Sequence, residues 1–532
     1  MILFIRNWLV QRMLNRFKIP RDMIRFAFRR HKENKAIITA QKAVTFQELE
    51  NRTLSLATGL AGLGIQKGDS IFVMVTNGIN QIEISMTGFE TGIMLTSFNA
   101  RYTKENILRA AELIKPKLFI YDAPIAEDAA TLLKDNIPDL QFLEIGENYE
   151  NFIVKHPAQN SKNKIDPNDI VALGFTSGTT GEPKALPATH GVFVKSLQLV
   201  VKNVGIGPKK KKPDVFLVAI PLAGAGSGVV LPAILSGAAI LVPSAYNAGL
   251  FLELIQQYKV TRMFITPSLL IDLLDHPKLD DYDLSSLGNV IYGTETLAAA
   301  KLEEAIKRFG PIFQQGYGSA EVLPPVSMLQ PKDHMEKGKI ANRNVLTSVG
   351  KVVPQVKVKI ENDGGHTLPY KEIGHVMIQS PTLFKGYWKR PDLTARAIVD
   401  GWLKIGDLGY LEADGRLHIL GRLADLIIKE GHTIYPRQVE EHVHDYRAVK
   451  ECNLVQVEEK AILAVSLRHT YRNLDNHHKI KQEISDLLKE RLEVYQLPDK
   501  IEIFEELPRS FLAKVLRREV REFLKTTSNM TA

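Results

Sequence analysis

A chain of 532 residues is too long for one small core, and its single cysteine, Cys452, excludes an intramolecular disulfide and a cysteine-rich metal site. With 45% apolar and 24% charged residues it has the composition of an ordinary globular protein, containing no run of about 20 uninterrupted apolar residues that would span a bilayer. The formal charge of +8 resides entirely in residues 1–32, where nine Lys and Arg stand against Asp22, so the rest of the chain is neutral and a nucleic-acid-binding body is excluded.

That basic segment is the first predicted element. On a helix, Ile2, Leu3, Leu9, Val10, Met13, Leu14 and Phe17 share one face with Arg6 intruding, while Gln11, Arg12, Asn15, Arg16 and Lys18 lie opposite. A helix of this kind either lies on an anionic membrane surface or docks on its own domain. The Arg-rich, acid-free first 21 residues also fit a mitochondrial presequence. The expected location is cytoplasmic, with peripheral membrane contact through residues 1–32 left open.

Further along, "SIFVMV" predicts a strand and "INQIEISMTGFETG" a helix with a buried face. "TSGTTGEPK", 176–184, follows the apolar run "DIVALGF" and precedes the helical pattern "HGVFVKSLQLVV", and so predicts a strand-to-helix loop. "GPKKKK", 207–212, reads as a solvated loop. "DVFLVAIP", "AAILVP", "TRMFITP", "NVIYG" and "IFQQGYG" are predicted strands. Among them lie the predicted helices "VVLPAILSG", "LFLELIQQY", "LLIDLLD" and "LAAAKLEEAIKRF". Near-continuous apolar strands alternating with helices imply parallel sheets covered on both faces. From about residue 350 short strands and turn signals take over, including "ADG" at 413–415. A last α+β unit of about 107 residues follows. Cys452, in "AVKECNLVQV", reads as a buried strand thiol. The predicted class is α/β. A large N-terminal domain, 33–421, of parallel-rich sheets under helices with a small β-structure precedes a hinge, 422–425, and a small mobile α+β domain, 426–532.

Four stretches carry chemistry. In the first, Gly178 and Gly181 let backbone approach anionic oxygens, Thr176, Ser177, Thr179 and Thr180 can donate hydrogen bonds, and Lys184 supplies a point charge. The spacing is not that of a Walker P-loop, and a plain Gly/Thr turn is the competing reading. In "QGYGSAE", 315–321, Tyr317 between Gly316 and Gly318 can offer a flat face to a base, and Glu321 can hold Mg²⁺ beside phosphates; otherwise they are a buried tyrosine and a solvated carboxylate. "YGTET", 292–296, ends the preceding strand. In 401–436, Asp407 suits the paired hydroxyls of a ribose and Arg422 offers a planar donor fork, against a turn cap and a surface ion pair. In "LPRSFLAKVLRREVREF", 507–523, Lys514 stands in a short loop before a basic helix, where most lysines are only solvated.

In this order, the four stretches resemble the successive signatures of the adenylate-forming superfamily of acyl-CoA synthetases, amino-acid-adenylating domains and firefly luciferase. "AVTFQELENR", "NARYTKENI" and "SVGKVVPQVKVKI" resemble its weaker ones, and the likeness runs over roughly residues 35–525. The resemblance implies ATP, Mg²⁺ and a small carboxylic acid as ligands, with CoA as cosubstrate. It further implies that loop 176–184 encloses the phosphates and that Tyr317 stacks on adenine beside the backbone of Gly293, Thr294 and Glu295. Glu321 would hold Mg²⁺, Asp407 and Arg422 the ribose, and Lys514 would act on the reacting centre. After rotation at the hinge, Lys429, Gly431 and His432 would meet a pantetheine arm. A homodimer is left open.

The chain departs from the family pattern at Ala424 in the hinge, Ala320 before Glu321, Ala185 after Lys184 and Ala513 before Lys514. Altered rates, not inactivity, are expected from these small-for-small changes. "PLAGAGSG", 221–228, lacks the aromatic and histidine of many relatives, which suggests a roomy acyl pocket. The expected activity is therefore medium- or long-chain fatty acid–CoA ligation. The alternatives are an acyl-AMP ligase serving a carrier protein and a catalytically silent nucleotide- or acyl-binding relative.

Overall fold

The computed structural model describes residues 14–100, 102–176, 184–205, 213–472, 476–510 and 514–530, with Thr176 and residues 527–530 described by backbone alone. The strand Ser70–Met74 is buried along its whole length, and its two faces feed different cores. Phe72 and Met74 pack with Ile107, Ala111 and Leu133, whereas Ile71 and Val73 pack with Leu56, Leu60 and Tyr149. Period-2 alternation with apolar residues at every position requires helices on both sides, as expected for parallel pairing. Among the described residues this strand lies in a six-stranded sheet ordered Gln141–Glu144, Leu118–Tyr121, Ser70–Met74, Met94–Ser97, Ile170–Thr176, Lys184–Thr189.

That sheet corrects one expectation. The segment after "TSGTTGEPK" is not yet helix but an antiparallel partner strand, with Thr176 opposite Lys184, and the helix starts only at His190. The sheet edge accepts "KALPAT" because Pro187, lacking an N–H, is tolerated where one side of the strand needs no donor. Thr189 then caps the helix by accepting from the Val192 amide.

A nine-stranded sheet carries the larger core and includes the parallel neighbours Val215–Val218, Arg262–Ile265, Asn289–Gly293 and Phe313–Tyr317. Gly293 pairs with Gly316, and a Cβ on Gly293 would sit 2.8 Å from the Gly316 carbonyl oxygen. Glycine is thus what lets these two strand ends close together. Their carboxyl ends deliver Thr294 and Tyr317 side by side, where parallel sheets place their ligands. A five-stranded antiparallel sheet follows, in which Trp402–Leu411 pairs with Leu417–Arg422.

Beyond it, Ile434, Val439, Val443, Leu454, Leu463, Val465, Ile484 and Leu488 form a separate core. The strands Val449–Val457, Lys460–Leu467 and Lys500–Phe504 make its sheet, and Cys452 is buried in the first of them. This unit docks through polar contacts. Arg468 meets Glu304 at 2.7 Å, Arg343 meets Asp445 at 2.8 Å, and buried Lys301 donates to the Val449 carbonyl at 2.6 Å.

At the other end of the chain, the helix Pro20–His31 buries Pro20, Met23, Ile24, Ala27 and Phe28. Leu14 is fully buried beside Met23, Val194 and Leu235. Arg21 donates to the Asn163 carbonyl and Arg25 pairs with Glu90, so this part of the basic segment is docked. Residues 1–13, which carry most of the predicted amphipathic face, and the 207–212 charge run lie outside the described residues.

Candidate active site

Three groups of side chains converge at the carboxyl ends of the strands. In the first, the Tyr317 hydroxyl donates to Asp407 Oδ2 at 2.5 Å, and Arg422 Nε lies 3.6 Å from Oδ1. Asp407 and Arg422 face each other across the strand pair, so that hairpin sets their separation. Burial pushes the Tyr317 hydroxyl well above its usual range, and the Asp407 charge pushes the same way, which keeps Tyr317 a donor. Burial also raises Asp407, with Tyr317 and Arg422 opposing.

In the second group, Lys514 Nζ donates to the Thr294 carbonyl at 2.8 Å, joining residues 220 positions apart in the chain. Thr294 has φ of 75°, an outlying conformation for a β-branched residue that costs about 1–3 kcal/mol and turns its carbonyl to the lysine. Burial lowers the Lys514 ammonium below the usual lysine range; Glu295 opposes this and Arg422 adds to it. Glu295 accepts from the Ser268 amide at 3.2 Å. Burial raises its carboxyl to about 7, with Lys514 opposing.

The sign of that shift yields a prediction. Between about pH 4.5 and 7 the folded state holds a proton on Glu295 that the unfolded chain has released, so stability falls as pH rises. Glu295→Gln has no such proton to release. The wild type should lose about 2–3 kcal/mol relative to the variant across that window, read as diverging unfolding midpoints in urea. A difference that does not vary with pH would remove the assignment.

The third group centres on a residue that sequence reasoning missed. The Tyr387 hydroxyl donates to Glu321 Oε1 at 3.2 Å, and Lys184 Nζ lies 5.5 Å from the centre of its ring. The chain reaches this position because the Phe384 amide donates to the Glu321 carbonyl and the Trp388 amide to that of Ala185. In sequence, "KGYW" reads only as an aromatic segment, since nothing local shows which carboxylate the hydroxyl meets. Among the described residues no cluster of three His, Cys, Asp or Glu could hold a metal by itself. Glu321 nevertheless fits Mg²⁺, which takes one or two carboxylates and completes its shell with phosphate and water oxygens. Tyr387→Phe keeps the ring beneath Lys184 and loses the bond to Glu321. With Glu321 holding Mg²⁺ beside ATP, as the resemblance implies, the magnesium needed for half-maximal activity should rise about three- to tenfold, and calorimetric ATP affinity should fall with Mg²⁺ but not with EDTA.

The remaining predicted residues divide in two. Ser177, Gly178, Thr179, Thr180, Gly181 and Ala513 lie outside the described residues, as does the Thr176 side chain. Lys429, Gly431 and His432 form the hairpin Ile427–Lys429 and His432–Ile434, whose polar and ring contacts are made within the C-terminal unit. Lys429 pairs with Asp499 at 2.7 Å and His432 stacks on Tyr495. Ala424 is exposed in the short turn Leu423–Asp425.

The chain belongs to the AMP-binding enzyme family, whose profile matches residues 24–388. It is 28% identical to the medium/long-chain-fatty-acid–CoA ligase FadD8 of Mycobacterium tuberculosis, over 93% of this chain and 88% of that one. It is equally identical to the 2-succinylbenzoate–CoA ligase of Bacillus mycoides, over 97% and 98%. Among solved structures, the O-succinylbenzoate–CoA synthetase of Bacillus subtilis in complex with AMP is 25% identical with a TM-score of 0.78, over 94% and 98% of the two chains. The anthranilate–CoA ligase AuaEII with anthranoyl-AMP, at 22% identity, shares the fold with a TM-score of 0.87 over 96% and 98%.

Proposed function

We propose that the chain is an AMP-forming acid–CoA ligase, which uses ATP and Mg²⁺ to convert a carboxylic acid to its acyl adenylate and then transfers the acyl group to CoA. The observation that carries this reading is the contact of Lys514 with Thr294, beside the Tyr317–Asp407–Arg422 group. Family membership and relatives named for acid–CoA ligation along nearly the whole chain support it.

In the first step an oxygen of the acid bonds to the α-phosphorus of ATP, and the bond to the pyrophosphate oxygen breaks with its electron pair leaving on pyrophosphate. Lys514 donates to the acid and α-phosphate oxygens, where negative charge gathers in the transition state. Asp407 and Arg422 hold the ribose, and Tyr317 lies against adenine beside the backbone of residues 293–295, flanked by Gly316 and Gly318. Loop 176–181 and Lys184 hold the phosphates. Glu321 would hold Mg²⁺, which when bound would supply further charge neutralisation. In the second step the CoA sulfur bonds to the acyl carbon, its proton passes to solvent, and AMP leaves with the electron pair of the broken bond. Residues 422–425, including Ala424, act as a hinge between domains 33–421 and 426–532, and the hairpin of Lys429, Gly431 and His432 serves the pantetheine.

The acid is a medium- or long-chain fatty acid. Residues 221–228 are small or apolar, and one relative is named for medium- and long-chain fatty acids. An aryl acid is the second reading, favoured by the relative named for 2-succinylbenzoate. Thioester formation over a graded panel of fatty acids, with ferulate and 2-succinylbenzoate included, separates the two. Highest kcat/KM on a medium or long chain is expected, and highest kcat/KM on an aryl acid would overturn the fatty-acid assignment. AMP release that depends on a carrier protein and not on CoA would favour the carrier alternative. Among the described residues no helix is long and apolar enough to cross a membrane, and Met23, Ile24, Ala27 and Phe28 of Pro20–His31 are buried against the protein, while Arg16, Lys18, Arg29, Arg30 and Lys32 stay exposed, available to an anionic surface.

A further inference from the structure

The helix Pro267–Leu274 belongs to the large N-terminal part of the chain, and none of the chemistry-bearing sequence stretches includes it. Ser268 and Asp272 are four residues apart and so share one face. At the start of the helix, the Ser268 amide donates to a carboxyl oxygen of Glu295, next to the Thr294 carbonyl that receives Lys514. One turn further, Asp272 accepts both terminal nitrogens of Arg509, at 2.5 and 3.0 Å, in a bidentate pair. Arg509 also binds Glu451, and Lys450 Nζ reaches Asp272 at 2.9 Å. Burial pushes the Asp272 carboxyl up, but the bonds and charges of Arg509 and Lys450 outweigh it and hold Asp272 below its usual range.

Arg509 stands at the base of the Lys514 loop. Its backbone bridges Val515, the Ser510 amide donates to the Lys514 carbonyl at 2.7 Å, and the Lys514 amide donates to Ser510 Oγ at 3.2 Å. One helix therefore holds the residue next to the lysine's acceptor at its first turn and the base of the lysine's own loop at its second.

We infer that Asp272 and Arg509 form a clamp that sets the Lys514 ammonium over the reacting centre, making both positioning residues for the adenylation step. This rests on the ligase reading above. Neither side chain touches substrate in it; they act through the placement of Lys514. Displacing a group by about 1 Å costs roughly a hundredfold in rate, so loosening one bidentate contact is expected to cost about tenfold to a hundredfold.

The test uses Asp272→Asn, which keeps the shape and one acceptor, and Arg509→Lys, which keeps the charge and loses the fork. Each should lower carboxylate-dependent pyrophosphate–ATP exchange by about tenfold to a hundredfold in kcat, with little change in KM for ATP. Thioester formation from supplied acyl adenylate should stay within about twofold of wild type, and neither variant should reduce exchange further in a Lys514→Ala background. Amide hydrogen exchange at Ser510 and Lys514, measured on the full chain, should quicken in both variants. Equal loss of both half-reactions, a further loss beside Lys514→Ala, or unaltered pyrophosphate exchange would overturn the clamp. If the wild type exchanges pyrophosphate with no acid, the ligase reading fails. Amide protection at Ser510 and Lys514 then decides the clamp itself, and protection unchanged in Asp272→Asn and Arg509→Lys would overturn it.

Discussion

Lys514→Ala should slow carboxylate-dependent pyrophosphate–ATP exchange by about two to four decades. The acid and the phosphates are both anionic, and the barrier to their reaction is largely the work of bringing negative charge onto a polyanion. Lys514 is a cation placed in advance, half-buried and bonded to the Thr294 carbonyl at 2.8 Å, so its charge is screened less than that of a solvated lysine. The Lys514 backbone is also bonded to Ser510, whose amide donates to the Lys514 carbonyl at 2.7 Å. A neutral methyl group in its place leaves the proposed nucleotide contacts of Asp407, Arg422 and loop 176–184 intact, so kcat should fall far more than KM rises. Thioester formation from supplied acyl adenylate should change less than about fivefold, because the charge-building step has already passed. Loss of both half-reactions together would contradict a role confined to adenylation.

Asp407→Ala should raise KM for ATP about tenfold to a hundredfold, the value of hydrogen bonds between a charged group and two ribose hydroxyls. Asp407 is 7% exposed, and it is the acceptor for the Tyr317 hydroxyl at 2.5 Å as well as the neighbour of Arg422. Its removal leaves a buried tyrosine hydroxyl without that partner, which also loosens the ring proposed to lie against adenine. The two effects separate with 2′,3′-dideoxy-ATP. Wild type and Asp407→Ala should bind that analogue within about threefold of each other if ribose contact dominates, whereas tyrosine displacement would weaken both nucleotides alike. An unchanged KM for ATP in Asp407→Ala would remove Asp407 from the nucleotide site.

The alternation of strands and helices was readable because burial on both faces of a parallel sheet leaves near-continuous apolar runs such as "SIFVM". Tyr317, Asp407, Arg422 and Lys514 were readable as candidates because each lies in a short stretch whose residue types and order resemble a known set. What the sequence concealed is pairing. Tyr387 meets Glu321, 66 residues before it, and Asp272 meets Arg509, 237 residues after it. No local periodicity encodes either contact, and an Asp in "LLIDLLD" reads as the polar face of a helix. The strand Lys184–Thr189 was missed for a related reason. Its proline is compatible only with a sheet edge, and edge position is a property of the assembled sheet. The basic segment offered two readings of one amphipathic pattern. Packing of Leu14, Met23 and Phe28 supplies docking for its second half, which a helical wheel does not distinguish from membrane contact.

The central claim is that the converging groups activate a carboxylate on ATP. Exchange of labelled pyrophosphate into ATP, with purified full-length protein, Mg²⁺ and a graded panel of fatty and aryl acids, tests it most directly. Exchange that requires a carboxylic acid, needs no CoA and is lost in Lys514→Ala is the predicted result. Absence of exchange with every acid, or exchange undiminished by Lys514→Ala, would contradict it.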